Sequence, residues 1–234
     1  MRVPTGTAIA GVFGIVPAII AFTTWMAKEH FAATIAAKRV AILGGPQVGK
    51  TSLLRILESP ATDNALAATA DPVGGDFEMD IAGKTVTFNV PRDLGSEDGL
   101  ALQSWKHAFE TAGHIWYLFR ADRIAAGDSK EISLVRKHLE SLAAWMDDGH
   151  QRKVVLIGTW ADASDEWRSR QKAFERRIET ADPIKIARVK LDHAGLIVGS
   201  LGSVNDAKAL ARSLRKQYRY SDRPTSERRR GMWG

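Results

Sequence analysis

The feature that most constrains this chain is a glycine-rich loop that fits G-x-x-x-x-G-K-[ST] and reads Gly44-Gly45-Pro46-Gln47-Val48-Gly49-Lys50-Thr51. Residues 38–43 before it form a short β-branched run, which is typical of a buried strand. Residues 51–58 after it are typical of a helix. A strand, this loop and a helix together predict a phosphate-binding unit. The alternative is a chance glycine turn between the two elements.

Each residue type in the loop has a chemical role in binding phosphate. Gly44 and Gly49 let the backbone wrap closely around an anion, with its N–H groups pointing inward. Lys50 supplies a cation for the β and γ phosphates, and the Thr51 hydroxyl is a ligand for Mg²⁺. We predict that the whole loop, together with Ser52 at the start of the helix, binds a nucleotide.

Strand and helix patterns alternate along the rest of the chain. Two strands joined by a tight turn at residues 82–84 predict an antiparallel hairpin, and a second pair is predicted around residues 192–195. The predicted strands are 77–81, 85–90, 114–119, 154–157, 184–191 and 196–198, and the predicted helices are 100–112, 129–146, 165–179 and 205–218. This order predicts an α/β fold with a doubly wound, mostly parallel sheet.

Charge is concentrated at the C-terminal end of the chain. The net charge is +6, and residues 212–230 carry eight basic and two acidic residues, so the rest of the chain sums to zero. A neutral body with a basic C-terminal end argues against a nucleic-acid partner and suits acidic lipid or an acidic protein. Residues 220–234 are predicted to be a basic, disordered tail. The absence of cysteine excludes a disulfide scaffold and a thiol nucleophile.

Residues 3–27 contain no charge. About 20 apolar residues are enough to cross a hydrocarbon layer of roughly 30 Å, so residues 1–27 are predicted to form a transmembrane anchor. A buried core helix, a cleaved signal peptide and an amphipathic surface helix are the alternatives. Residues 28–37 are predicted to be a juxtamembrane linker. Lys28, Lys38 and Arg39 outnumber Arg2, which places the remainder of the chain in the cytoplasm.

Over residues 38–219 the sequence resembles the small Ras-like GTPases, because its loop matches their first motif in full. The resemblance implies a G domain that binds GTP, GDP and Mg²⁺. At the family's spacing from Lys50, Thr69 is the implied switch-I ligand of Mg²⁺, with Thr62 as its rival. The anchored layout is similar to that of the β subunit of the signal recognition particle receptor.

The second switch departs from the family pattern D-x-x-G. If Gly95 is the glycine that contacts the γ-phosphate, Arg92 stands in the aspartate position and Asp93, the implied metal ligand, is one residue late. Ser96 falls where Ras proteins carry the glutamine that orients the attacking water. Because serine is too short for that role, the resemblance implies slow intrinsic hydrolysis, with Lys50, Arg92 and Ser96 as the catalytic candidates.

Guanine recognition is implied after the strand at 154–157. Thr159-Trp160-Ala161-Asp162 resembles a degenerate N-K-x-D motif, in which the Asp162 carboxylate accepts the guanine N1 and N2 protons and the Trp160 indole covers the base. Adenine offers no such pair of donors. Ser200 and Leu201 form a weaker match to the family's second guanine loop. The alternative for Asp162 is a helix N-cap.

Taken together, these patterns predict a membrane-anchored GTP/GDP switch with an unidentified protein effector. Two alternatives stay open. One is a pseudo-GTPase that binds nucleotide with little hydrolysis, which Arg92 and Ser96 favour. The other is a P-loop ATPase, in which Asp162 only caps a helix.

Overall fold

The computed structural model describes residues 31–32, 34–36, 39–58, 75–81, 83–91, 99–146 and 152–219. Within these residues, six strands form one sheet in the order β2-β3-β1-β4-β5-β6, and β2–β3 is its one antiparallel pair. The strands are β1 (Val40–Gly44), β2 (Gly75–Asp80), β3 (Thr85–Val90), β4 (His114–Arg120), β5 (Lys153–Thr159) and β6 (Gly195–Val198). The mostly parallel sheet and the hairpin are therefore confirmed.

Helices connect the parallel strands and cover both faces of the sheet. They are α1 (Lys50–Glu58), α2 (Gly99–Thr111), α3 (Ala121–Ala125), α4 (Ser129–Trp145), α5 (Asp165–Thr180), α6 (Asp182–Lys190) and α7 (Val204–Arg219). Local signals set some of their ends. Asp128 caps α4 by accepting the backbone N–H groups of Lys130 and Glu131, so this helix begins where its first turn is satisfied.

Two apolar cores lie on opposite sides of the sheet. Successive residues of a strand point to opposite faces, so Val40 and Ile42 of β1 join one core while Ala41 and Leu43 join the other. The first core includes α1 and α7, and the second includes α2, α4, α5 and α6. Because both faces are covered by helices, β1 reads as a continuous apolar run rather than an alternating one.

The predicted strand at residues 184–191 is wrong. The structure has helix α6 here, and β6 pairs in parallel with β5 instead of forming a hairpin. Pro183 lies in the first turn of α6, where proline is favoured, and Ile184 and Ala187 are buried on one side. The β-branched composition suggested a strand. The segment is helical instead, because a helix with 3.6 residues per turn buries Ile184 and Ala187 on the same side.

The folded unit extends N-terminal to Lys38, into the segment predicted to be a linker. Residues 31, 32 and 34–36 are helical, and Phe31, Ala32 and Ile35 are fully buried in the first core. The predicted anchor, residues 1–27, and the tail, residues 220–234, lie outside the described residues. Among the helices that are described, none is long and apolar enough to cross a membrane.

Candidate functional site

The glycine-rich loop lies at the carboxyl end of β1, between this strand and α1. Gly44 and Gly49 have φ of +145° and +90°, a region that side chains disfavour. A Cβ atom at Gly44 would also collide with the carbonyl oxygen of Leu118 on β4. The loop therefore follows a path that only glycine permits at these two positions, and it passes close to the neighbouring strand.

Lys50 folds back into the loop that precedes it. Its ammonium group donates hydrogen bonds of 2.8 Å to the carbonyl oxygens of Gly44 and Gly45, and the side chain is 5% exposed. Thr51 and Ser52 follow in the first turn of α1 and are half-buried. That turn contains no acidic residue, so the positive end of the helix dipole is not offset there. A buried cation and a helix N-terminus thus face the same loop.

The last residue of β5, Thr159, and the next residue, Trp160, contact the backbone of the loop directly. The Thr159 hydroxyl is fully buried, and its oxygen lies 2.8 Å from the carbonyl oxygen of Val48 and 3.1 Å from that of Phe119. The Trp160 indole N–H donates a 2.9 Å hydrogen bond to the carbonyl oxygen of Gln47. The segment predicted to read the base is therefore tied to the segment predicted to bind phosphate.

Arg120, at the end of β4, stacks on the indole of Trp160. The guanidinium carbon lies 4.2 Å from the ring centroid, and Asp122 accepts two hydrogen bonds from the same guanidinium, of 2.8 and 2.6 Å. The hydrogen bond to Asp122 raises the pKa of Arg120, against the opposing effect of burial. Trp160 has φ of +59° and remains 42% exposed, so this arrangement presents a braced aromatic ring to solvent.

Asp162 meets Ser200 across the two loops that follow β5 and β6. Ser200 donates a 2.6 Å hydrogen bond to one carboxylate oxygen of Asp162, and the backbone N–H of Gly202 donates 2.8 Å to the Ser200 hydroxyl. A Cβ atom at Gly202 would collide with the second carboxylate oxygen, so the backbone approaches this carboxylate closely. The two predicted base-reading segments therefore form one site.

The helix-cap interpretation of Asp162 is wrong. Helix α5 has Ser164 as its N-cap, and Asp162 lies before it in the 3-10 turn Ala161–Ala163. Its carboxylate is bound by Ser200 instead. Leu201, the next residue, is half-buried and packs beside Gly49, which brings the loop after β6 against the glycine-rich loop as well.

A cavity of about 230 Å³ opens between the glycine-rich loop and helix α4. The backbone of residues 45–48 forms one wall, and Arg123, Glu131 and His138 are among the residues that line the rest. Arg123 and Glu131 form an ion pair of 3.8 Å, and the Tyr117 hydroxyl lies 3.1 Å from Nδ1 of His138. A cavity lined in part by charged side chains therefore lies beside the loop.

Burial displaces the pKa values of His138 and Glu131, which both line this cavity. Burial, followed by the charges of Lys137 and Lys50, lowers the pKa of His138 to about 4, so the ring is neutral at pH 7. Burial raises the pKa of Glu131, although the backbone N–H of Arg120 and the charge of Arg123 oppose this shift. The effect of Lys50 on His138 shows that the charge of the loop lysine extends into the cavity.

No protein-family model matches the sequence, and no curated protein sequence matches it. Among solved structures, the chain is similar to the ADP ribosylation factor-like GTP-binding protein, the small COPII coat GTPase SAR1, from Encephalitozoon cuniculi in complex with GDP. The two share 16% sequence identity with a TM-score of 0.49, over 93% of this chain and 98% of the other. The fold assignment made above rests on the strand order and on the glycine-rich loop between β1 and α1.

The predicted switch residues fall outside the described part of the chain. These are Thr62, Thr69, Arg92, Asp93, Gly95 and Ser96. Of the three predicted Mg²⁺ ligands, Thr51 is the one that the structure describes. The described residues contain no group of three or more acidic or histidine side chains that could hold a metal ion by themselves. The metal site and the hydrolytic residues therefore stay predictions.

Sequence reasoning missed the residues contributed by β4 and α4. Arg120, Glu131 and His138 carry no motif, and the histidines showed no ligand spacing along the chain. A signal did exist for Arg120, because it ends a buried parallel strand next to β1, and functional side chains gather at that edge of such sheets.

Proposed function

We propose that this protein is a guanine-nucleotide switch that binds GTP and GDP at the carboxyl edge of its sheet. The observation that supports this most directly is the convergence of three segments. Hydrogen bonds hold Thr159 and Trp160 on the glycine-rich loop, and Asp162, two residues later, bonds to Ser200. Their chemistry is complementary to a phosphorylated purine nucleoside, with cations and backbone N–H groups at one end and a carboxylate at the other.

The Asp162 carboxylate is the basis for choosing guanine. An ionised carboxylate accepts about four hydrogen bonds, and Ser200 occupies one of these positions. Guanine presents two adjacent N–H donors on its edge, whereas adenine presents an acceptor and no amino group there. Ser200 holds the carboxylate in place, so the remaining lone pairs are oriented for a paired donor. This arrangement disfavours the P-loop ATPase alternative.

Trp160 takes the place of the lysine that is usual in this motif. Its indole N–H is already bound to Gln47, and Arg120 braces the ring by stacking on it. The exposed part of the indole is suited to cover one face of the base, as we predicted from the sequence. An aromatic ring stacked on a base contributes about 1–3 kcal/mol, so the tryptophan compensates for the missing lysine stem.

The phosphates are assigned to the glycine-rich loop. Lys50 brings a positive charge into the loop, and the first turn of α1 adds backbone N–H donors. A bound Mg²⁺ would neutralise part of the charge of the phosphates. Thr51 would supply its hydroxyl to this ion, and Thr69 and Asp93 remain the proposed partners from the switch segments.

We propose slow intrinsic hydrolysis and attachment to a membrane. The hydrolysis proposal follows from Ser96 and Arg92 at the second switch, which are also the residues that favour a pseudo-GTPase. The attachment proposal follows from the uncharged residues 3–27, with the G domain on the cytoplasmic side. A protein effector that senses the nucleotide state completes the proposal.

Calorimetric titration of the full chain in detergent tests the nucleotide assignment. We expect GDP and a GTP analogue to bind in the presence of Mg²⁺ and ADP to bind far more weakly. In Asp162→Asn, GDP affinity should fall roughly tenfold to a hundredfold while xanthosine diphosphate affinity rises, because an amide donates where xanthine has a carbonyl. Asp165→Asn, at an exposed aspartate that begins α5, is the matched control.

A preference for ADP, or an Asp162→Asn variant that binds GDP as wild type does, would contradict the guanine assignment. Single-turnover hydrolysis separates a slow GTPase from a pseudo-GTPase. A rate on the order of 10⁻⁴ s⁻¹ matches an unassisted small GTPase, whereas no turnover supports the interaction module.

A further inference from the structure

Helix α7 carries its basic residues on one side. At about 100° per residue, Lys208, Arg212, Arg215 and Lys216 fall within an arc of about 100° around the helix axis. We call these four residues the α7 cationic face. Arg212 and Lys216 are exposed, and Lys208 and Arg215 are half-buried. The buried side of the helix is apolar, so the face lies along the flank of the molecule.

No carboxylate in the described part of the chain pairs with any of these four residues. Nε of Arg215 is buried without a hydrogen-bond partner. Burial, followed by the charge of Arg212, lowers the pKa of Arg215. These basic groups therefore repel one another, and the Nε–H of Arg215 lacks a hydrogen-bond acceptor. An anion at the surface would relieve the repulsion among these basic groups.

Helix α5 differs from α7, because its basic residues are balanced by acidic ones. It also carries exposed basic residues, but acidic residues are interspersed among them and Arg177 pairs with Glu166 at 3.1 Å. The net charge of the chain outside residues 212–230 is zero. The α7 cationic face is therefore a local feature, and it continues in sequence into the basic tail.

Phe31, where the described part of the chain begins, lies against the C-terminal half of α7. Phe31 packs edge-to-face on Tyr218 in the last turns of α7, with ring centroids 5.3 Å apart. The uncharged stretch ends at Ala27, four residues earlier. Four residues span at most about 14 Å, so a bilayer that held residues 3–27 would have its surface within about a Debye length or two of Phe31.

We propose that the α7 cationic face binds anionic lipid headgroups at the surface of the membrane that holds the N-terminal segment. The inference rests on the proposed membrane attachment and is independent of nucleotide specificity. Lipid is favoured over nucleic acid because Phe31, four residues after the uncharged stretch, packs on α7, and because the chain outside residues 212–230 has no net charge. Binding would orient the G domain relative to the bilayer rather than merely tether it.

Energy transfer to labelled headgroups tests this orientation. The chain has no cysteine, so Ala209→Cys gives a single labelling site at an exposed position on α7. The full chain would be reconstituted into vesicles of phosphatidylcholine, with or without phosphatidylserine, that carry a headgroup acceptor dye. We expect transfer to be at least about twofold higher with phosphatidylserine, and to return to the phosphatidylcholine value in high salt.

A triple charge reversal supplies the decisive comparison. Lys208→Glu, Arg212→Glu and Lys216→Glu together should abolish the phosphatidylserine effect, because each basic residue near an anionic surface contributes about fivefold to partitioning. The control is Arg168→Glu, Lys172→Glu and Arg176→Glu, which reverses three exposed basic residues at the same spacing on α5. It should behave as the unmodified protein does. Thermal unfolding of both variants checks the fold.

Equal transfer in the two lipids, or an equal loss in the α5 control, would overturn the proposal. So would tight binding of double-stranded DNA by the detergent-solubilised chain that phosphatidylserine does not displace, since this assigns the face to nucleic acid. Alkaline extraction tests the anchor separately. A chain that alkali releases, yet whose co-sedimentation with phosphatidylserine vesicles needs the three basic residues, loses its anchor but keeps its lipid-binding face.

Discussion

At the carboxyl end of the central sheet, side chains bind backbone carbonyl oxygens, whereas at the amino end aromatic rings pack on one another. Lys50, Thr159 and Trp160 all donate to carbonyls of the glycine-rich loop. At the other end, Phe31 packs on Trp116 and Tyr218, with ring centroids at 6.3 and 5.3 Å. The Trp116 indole donates a 2.7 Å hydrogen bond to the Tyr218 hydroxyl within that cluster.

The two ends of the sheet therefore have different roles, one in holding the glycine-rich loop and the other in stabilising the fold. A loop held by polar contacts can keep its backbone N–H groups directed toward a ligand, because side chains satisfy its carbonyl oxygens. An aromatic cluster buries area and stabilises the fold, and it joins the N-terminal segment to α7. Substitutions at the two ends should therefore affect different measurements.

The largest effect is expected at the aromatic end. Phe31→Ala should lower the free energy of unfolding by about 3–5 kcal/mol, because it leaves a cavity at a fully buried position. The GDP affinity of the folded fraction should not change. Urea unfolding measures the first quantity and calorimetry the second. Val189→Ala, at a residue that is 66% exposed, is the control and should cost about 0.5 kcal/mol or less.

If Phe31→Ala costs no more than Val189→Ala, residues 31–36 are a linker, as the sequence first suggested. The same packing has a practical consequence. A soluble fragment should retain Phe31, because a chain that begins at Lys38 lacks part of the first core.

Lys50→Ala should affect binding more than stability. We expect GTP-analogue affinity to fall roughly tenfold to a thousandfold, or about 1.5–4 kcal/mol, because a buried charge-assisted contact with the phosphates is lost. Calorimetry measures the loss, and the free energy of unfolding should fall by less than this, because the substitution also removes the two hydrogen bonds to the carbonyl oxygens of Gly44 and Gly45. Lys172→Ala, at an exposed lysine of α5, is the control. Unchanged affinity would show that the glycine-rich loop is not the site.

Acidification should destabilise the polar end through His138. Its pKa is about 4 in the folded protein against 6.5 when exposed, so the unfolded state binds more protons between these values. The His138 contribution is therefore fully present above pH 6.5 and falls by about 2 kcal/mol between pH 6.5 and 5. Glu131 acts in the opposite direction, because its raised pKa favours the folded state as pH falls.

Urea unfolding of wild type and His138→Gln at pH 5 and pH 7 isolates this contribution. The difference in stability between the two pH values should shrink by about 2 kcal/mol in the variant, which keeps a polar group near Tyr117. An identical pH dependence in both proteins would mean that His138 titrates normally.

The smallest expected effect tests whether the two ends are truly separate. Thr159→Val removes the hydroxyl that donates to Val48 and leaves a buried carbonyl oxygen without it. We expect a loss of about 1 kcal/mol in stability together with a several-fold loss of GDP affinity, since one bond serves the core and the loop. Thr180→Val, where an exposed hydroxyl bonds within its own helix, is the control. A loss of stability alone, or of GDP affinity alone, would show that this bond serves only the core or only the loop.

Much of the fold could be predicted because its signals are local. The hairpin followed from the turn at residues 82–84, and the parallel sheet followed from the alternation of buried strands with helices. Helix α6 could not be predicted in this way, since Ile184–Leu191 favours a strand by composition. Only the packing of Ile184 and Ala187 against the second core selects the helix.

The same contrast between local signals and tertiary packing applies to the candidate site. The sequence by itself determined the glycine-rich loop. The motif that predicts phosphate binding occupies eight consecutive residues, with a strand before them and a helix after them. The tertiary structure alone decided that Asp162 bonds to Ser200, that Arg120 braces Trp160, and that Phe31 is buried against Tyr218. These contacts join residues 38, 40 and 187 positions apart in the chain, and no local pattern encodes a distance that depends on how the whole sheet is assembled.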